Sequence, residues 1–280
     1  NSTNNAHITF DNGSTPISLA AFTTRGNLTL KTDAAIALTA HTVNGNLTVT
    51  SGMGITDSAT VTVSGNLSAT TDANNGVINL GSLVVEGTIA VATNDAANND
   101  SAHATIVNAC STCAGGVGLN FLASTVEGNL IATATTGDMT DSGALTIKGT
   151  STLTTSANNT TIILDTTTNA FTGALTITTN AAMGDVTIDG GTTKLIIAAS
   201  TIDGDLTIRT GNAADTSGIT DSGTITVGGD LSVTNDVDNG DINIKSLQNY
   251  FNWQIKKKIG GLIILGSTGE FLSINKKNRL

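Results

Sequence analysis

The chain has 280 residues, a formal net charge of −10 and a pI near 4.4, with 51 Thr and 31 Gly against a single Pro, Trp and Tyr. Only 12% of residues are charged and no basic stripe runs along the first 244, which disfavours a nucleic-acid partner because nothing would replace phosphate counterions. Excess Thr and Gly disfavour a helical domain, regularly placed Val and Ile disfavour a disordered tail, and Gly without a strict third-position period excludes collagen.

In chain order, residues 1–25 match the later pattern weakly and read as the start or cap of a repeat array, with Phe10 and Phe22 plugging its end. The chain opens Asn1-Ser2-Thr3 without an initiator Met, which reads as a mature chain or a piece of a longer protein. From residue 26 a short unit recurs: Gly26-Asn27-Leu28-Thr29-Leu30, then Gly45-Asn46-Leu47-Thr48-Val49 and Gly65-Asn66-Leu67-Ser68-Ala69. It returns at Gly128-Asn129-Leu130, Gly204-Asp205-Leu206 and Gly229-Asp230-Leu231. A second unit reads Gly54-Ile55-Thr56-Asp57-Ser58, Met139-Thr140-Asp141-Ser142 and Gly218-Ile219-Thr220-Asp221-Ser222. The stretch from Gly54 to Thr71 matches Gly218 to Asn235 at twelve of 18 positions, 164 residues away, which is four periods of 41 or eight half-units of about 20.

Within each half-unit, runs such as Val61-Thr62-Val63 and Leu175-Thr176-Ile177-Thr178 alternate aliphatic and Thr, the period of a half-buried strand. Gly, Asn and Asp between the runs supply corners, and the near absence of Pro spares ladder bonds. Among the acids, 19 of 22 are Asp, a turn residue. This pattern predicts an all-β fold: a right-handed single-stranded parallel β-helix, or β-solenoid, with about 20 residues per coil and ten or eleven coils over residues 26–244. The alternative is an antiparallel sandwich or a tandem of small sandwich modules. Residues 245–280 hold seven of the 12 basic residues and the only Trp and Tyr, and read as an atypical basic and aromatic cap or tail. The longest apolar run, near Ile259–Leu265, is too short to cross a bilayer.

The same reading assigns no catalytic, cofactor-binding or metal site and no cofactor. His7, His41 and His103 sit in different units and look unrelated; His41 shares its slot with Ser124 and Ser200, which reads as a solvated position. Asp185, Asp189, Asp203 and Asp205 lie close in sequence, but each reads as a turn residue. Cys110 and Cys113 read as a local loop staple or two free thiols rather than a redox centre. The segment Asp236-Val237-Asp238-Asn239-Gly240-Asp241 has alternating oxygen ligands but lacks the distal Glu of a calcium loop. Thr48-Val49-Thr50 and Thr176-Ile177-Thr178 suit an ice-binding array that other copies break. The polar stretches 94–101, 158–160 and 212–215 read as loops on a rod.

The pairing of Gly-Asn-Leu-Thr-Val with Ile-Thr-Asp-Ser-Gly-x-[Leu/Ile]-Thr-[Ile/Val] resembles the repeat regions of bacterial β-strand-repeat surface adhesins of the filamentous haemagglutinin or autotransporter-passenger type, over about residues 26–244. The resemblance implies a non-enzymatic adhesive rod, secreted or exposed at the outer membrane, with adhesion and biofilm roles, that displays loops to cells, matrix proteins or glycans. It also admits end-to-end or lateral self-association and membership of a longer chain. The competing expectation is a carbohydrate-active or glycan-binding β-helix protein of the lyase or hydrolase kind.

Overall fold

In the run Leu47-Thr48-Val49-Thr50-Ser51, alternation decides what is buried: Leu47 and Val49 are fully covered, while Thr48 and Thr50 remain partly open to solvent. The same run one coil earlier, Leu28–Thr32, pairs with it in parallel, Leu28 opposite Leu47 and Leu30 opposite Val49, and Leu67–Thr71 follows on the other side. Like residues therefore stack on like, and aliphatic columns such as Leu28, Leu47, Leu67 and Ile89 run along the interior.

The computed structural model describes residues 6–72, 75–95, 101–181, 183–211, 218–236 and the backbone of 242–243. Over these the strands form two long sheets of 14 and 16 strands, and every strand pair is parallel. Eleven successive strands make the spine of the first sheet, from Ile8–Asp11 to Leu231–Asn235, and the chain alternates between the sheets as it climbs. The fold is a parallel β-solenoid, and the antiparallel sandwich is excluded. At about 4.8 Å per coil, ten steps give a rod of about 48 Å. The first and last strands of this spine begin at Ile8 and Leu231, ten steps and 223 residues apart, so the mean coil is about 22 residues rather than 20. The excess comes from corner loops. Steps of 19 and 20 residues separate Leu28, Leu47 and Leu67, whereas 32 residues separate Ile89 from Phe121.

Coils pair a single strand on one sheet with a bent pair of strands on the other, as in Leu47–Ser51 followed by Ile55–Asp57 and Val61–Val63; in the next coil the pair is fused into Ile78–Val85, which pairs with both of these and shifts register between Leu80 and Leu83. Twice, a single strand follows a single strand with no bent pair between them: Thr88–Ala92 leads to Ala104–Asn108, and Leu175–Thr178 leads to Val186–Asp189. Each such junction shifts the pattern by half a coil. The single strands therefore lie on the first sheet up to Thr88–Ala92, on the second sheet from Ala104–Asn108 to Leu175–Thr178, and on the first sheet again from Val186–Asp189 onward, with the bent or fused pairs opposite them. The repeat Gly-Asn-Leu does not select a sheet: Leu47 is on the first and Leu130 on the second.

Residues 8–24 form a coil in register with the next, Ile8 opposite Leu28 and Phe22 opposite His41. Phe10 occupies an inward column but is 40% exposed, and Phe22 packs partly buried against the core. The tail 245–280 lies outside the described residues, as do 96–100, 212–215 and 237–241 of the predicted loops and calcium segment. Asp236, at the edge of that segment, pairs with Arg209.

Candidate functional site

The corner that precedes each long strand carries the most regular chemistry on the rod. Asn27 Oδ1 accepts the backbone N–H of Asn46 at 2.9 Å, Asn46 Oδ1 that of Asn66 at 2.9 Å, and Asn66 Oδ1 that of Thr88 at 2.9 Å. In the second stretch Asn129 Oδ1 accepts from Thr150 at 2.8 Å. In the third, Asp185 Oδ1 accepts from Asp205 at 2.8 Å and Asp205 Oδ1 from Asp230 at 2.7 Å. A corner amide has no strand partner, so a side-chain oxygen from the coil before satisfies it.

This ladder explains the glycine in each Gly-[Asn/Asp] pair. A Cβ on Gly65 would lie 2.3 Å from Asn46 Oδ1, and one on Gly204 2.1 Å from Asp185 Oδ1. The side chain of one coil occupies the space that the next coil leaves by lacking a Cβ. Gly before Asn or Asp in six copies was the sequence signal for the ladder, although the corner reading alone did not show it.

Two histidines stand in the ladder. His7 Nδ1 accepts from Asn27 N at 3.0 Å and His103 Nδ1 from Asn129 N at 2.9 Å, so each supplies the first rung of its stack. They are not unrelated, as the sequence reading had them: an imidazole nitrogen replaces the amide oxygen. His41 does share its slot with Ser124 and Ser200, but the slot is buried rather than solvated, with His41 1% exposed. Ser124 and Ser200 accept backbone amides of Val91 and Ile177, each at 3.0 Å. His41 accepts the backbone N–H of Thr39 at Nε2, 3.4 Å away, and its ring is tilted against Phe22 with ring centres 4.7 Å apart; burial lowers its pKa below the ordinary imidazole value.

Of the four acids, Asp185 and Asp205 are consecutive rungs of the ladder, and Asp189 and Asp203 serve other backbone amides. Asp189 accepts from Gly191 N at 2.7 Å, and Asp203 Oδ2 from Ala181 N at 2.9 Å. Asp57 of the Ile-Thr-Asp-Ser motif accepts from Gly81 N and Ser82 N at 3.0 and 2.7 Å, reaching forward one coil, while Ser58 Oγ donates back to Leu38 O at 3.2 Å. Asp141 holds the same place and accepts from Asn169 Nδ2 at 2.7 Å. Burial raises its pKa, and hydrogen bonds from Asn169 and Thr166 pull it part of the way back. Arg209 is hydrogen-bonded to Asp236, which raises the guanidinium pKa further. Among the described residues no group of three or more His, Cys, Asp or Glu is placed to hold a metal ion.

The outer faces carry threonine. Thr133, Thr154, Thr178, Thr201 and Thr226 stand in register on five successive coils of the second sheet. The neighbouring column Thr105, Ile131, Thr152, Thr176 is interrupted by Ile131, which is 45% exposed. Thr48 and Thr50 lie on the first sheet and Thr176 and Thr178 on the second, so the two T-x-T units do not share an array.

Cys110 and Cys113 are joined in a disulfide, which decides between staple and free thiols. The staple closes the loop between Ala104–Asn108 and Val117–Phe121, followed by a turn in which Gly115 and Gly116 have φ of 73° and 79°. Thr112 Oγ1 and Glu86 Oε1 lie 3.0 Å apart across this corner, hydroxyl donating to carboxylate. No helix among the described residues is long and apolar enough to cross a membrane.

No curated protein and no solved structure matches the chain. A family described as repeats of unknown function, DUF5649, matches residues 25–82, 102–178 and 183–255. The breaks between its segments fall at the two half-coil shifts, so among the described residues the single strands of each matched segment keep to one sheet. Because these segments cover more than half of the chain, it belongs to the family of repeats described as DUF5649.

Proposed function

We propose that this β-solenoid is a non-enzymatic structural and adhesive rod of a secreted or surface-exposed bacterial protein, displaying corner loops to cells, matrix proteins or glycans. The observation that carries this reading is the use made of the titratable side chains. His7, His103, Asp57, Asp185, Asp203 and Asp205 each satisfy a backbone amide, five of them one coil further on, so they serve the stacking of coils. Rods act through length, display and repeated weak contact. The Cys110–Cys113 disulfide supports an oxidising compartment outside the cytosol.

The test is a screen of the intact chain on arrays of glycans and extracellular-matrix proteins, with the same chain assayed for depolymerisation of acidic and neutral polysaccharides. Retention on one ligand class without turnover supports the rod. Polysaccharide cleavage overturns it in favour of a carbohydrate-active β-helix.

A further inference from the structure

The ladder needs only an acceptor from each rung. Asp185 and Asp205 supply a carboxylate oxygen and His103 a ring nitrogen, yet every rung after His7 in the first stretch is an asparagine: Asn27, Asn46 and Asn66. Their Oδ1 atoms are committed to the next coil. Their Nδ2 atoms donate to no protein group among the described residues, and none of the three is buried. Asn46 and Asn66 are exposed and Asn27 is half-buried. Other asparagines use this nitrogen: that of Asn12 donates to Thr15 O and Pro16 O, that of Asn108 to Gly118 O and that of Asn169 to Leu164 O. The amide nitrogen of the three rungs is therefore surplus to the fold.

Each of these rungs is followed two residues on by a hydroxyl, in Asn27-Leu28-Thr29, Asn46-Leu47-Thr48 and Asn66-Leu67-Ser68. The intervening Leu is buried, so the period of the strand puts amide and hydroxyl on one outer face, where Thr29, Thr48 and Ser68 are partly open to solvent. Asn-x-Ser/Thr is the acceptor pattern for an N-linked sugar, and it is short enough to arise by chance. The fold sorts its copies. Asn12-Gly13-Ser14 fits the pattern, but its amide nitrogen is taken twice over. Asn158-Asn159-Thr160 and Asn159-Thr160-Thr161 fit it too, but Thr160 is buried and donates to Ala157 O at 2.8 Å, and Thr161 Oγ1 is buried. After Asn129 an Ile stands at 131 in place of the hydroxyl, and before Thr207 the rung is Asp205 in place of the amide. Among the described residues, Asn27, Asn46 and Asn66 alone combine an idle, accessible amide with an outward hydroxyl two residues on.

We propose that Asn27, Asn46 and Asn66 are N-glycosylation sites, modified by a transferase that uses a diphosphate-activated hexose. Nδ2 attacks the anomeric carbon of the sugar, forming a C–N bond as the bond from that carbon to the diphosphate oxygen breaks. The diphosphate leaves with the electron pair, and one amide proton passes to a base of the transferase. The product is a secondary amide whose Oδ1 still accepts the backbone N–H of the next coil, so the sugar is added without loss of a rung. The sugars line one edge of the rod, one coil or about 4.8 Å apart, and make that edge bulky and well solvated. This assignment concerns the decoration of the rod and holds whether or not the rod is adhesive.

The test is peptide mapping by mass spectrometry of the full chain isolated from the cells that produce it, with electron-transfer fragmentation to place each sugar. Hexose increments are expected on Asn27, Asn46 and Asn66, and none on Asn12, Asn129, Asn158 or Asn159. Two variants made in the same cells separate the motif from mere exposure. Thr48→Val keeps the amide and is expected to lose the sugar at Asn46 while Asn27 and Asn66 keep theirs. Asn46→Asp keeps the rung, as Asp205 does, and is expected to retain the parent's denaturant midpoint with no sugar at that position. Unmodified asparagine at all three positions, sugar on Asn129 to the same extent, or sugar on Asn46 that survives Thr48→Val overturns the proposal.

Discussion

His103 Nδ1 accepts the backbone N–H of Asn129 at 2.9 Å, and the side chain of Asn129 then does the same for Thr150, one coil on, at 2.8 Å. The slot therefore requires an acceptor at a fixed height above the corner and is indifferent to whether an imidazole, amide or carboxylate supplies it. His103→Asn is expected to change the unfolding free energy by less than about 0.5 kcal/mol, and His103→Ala to cost about 1–2 kcal/mol by orphaning the Asn129 amide. Urea denaturation of the three proteins checks this; equal losses for Asn and Ala would refute the ladder role.

Glycine is needed where the ladder passes and dispensable where it does not. A Cβ on Gly65 would meet Asn46 Oδ1 at 2.3 Å and Gly45 O at 2.8 Å, whereas one on Gly81 finds no atom nearer than 4.0 Å. Gly65→Ala should cost about 2–3 kcal/mol, because backbone and ladder side chain must both shift, and Gly81→Ala should lie within about 0.5 kcal/mol of the parent. Thermal unfolding of the pair measures the contrast. Removing the oxygen by Asn46→Ala should not rescue Gly65→Ala, since the Gly45 carbonyl remains.

Phe121 is fully buried on the first sheet and shares its coil with the small residues Ala132 and Ala134 on the second. Phe121→Ala should therefore cost about 3–5 kcal/mol, and Phe121→Leu less than half of that, because a solenoid core cannot collapse onto a gap without breaking register with both neighbours. Denaturant midpoints at constant m-value report the difference.

His41 should make the rod sensitive to mild acid. Its folded pKa is lowered by burial, so below the ordinary value of 6.5 the unfolded chain takes up a proton that the folded chain refuses. Its contribution to stability is thus intact above pH 6.5 and declines as pH falls from 6.5 toward the lower folded pKa. His41→Ser, which installs the residue found at Ser124 and Ser200, should flatten that part of the stability profile. An unchanged slope between pH 7 and 5 would show that His41 does not titrate with folding.

The alternation of aliphatic and threonine, the spacing of the Gly-[Asn/Asp]-Leu units and the lack of proline were enough to specify parallel coils of about twenty residues with Leu28, Leu47 and Leu67 inside. Those features are local, and a period-2 run has one way to bury its aliphatic face. Three things were settled only by stacking. The side of the rod on which each motif lies depends on how many half-coils precede it, and long and split strands share the same alternation, so the shifts after Thr88–Ala92 and Leu175–Thr178 leave no mark in any single motif. The joint role of His7 and His103 appears only when residues 20 and 26 positions apart are brought into contact. The contact of the disulfide-closed loop with the coil before it, Thr112 Oγ1 donating to Glu86 Oε1 across 26 residues, is likewise a juxtaposition of neighbouring coils that the chain order cannot declare.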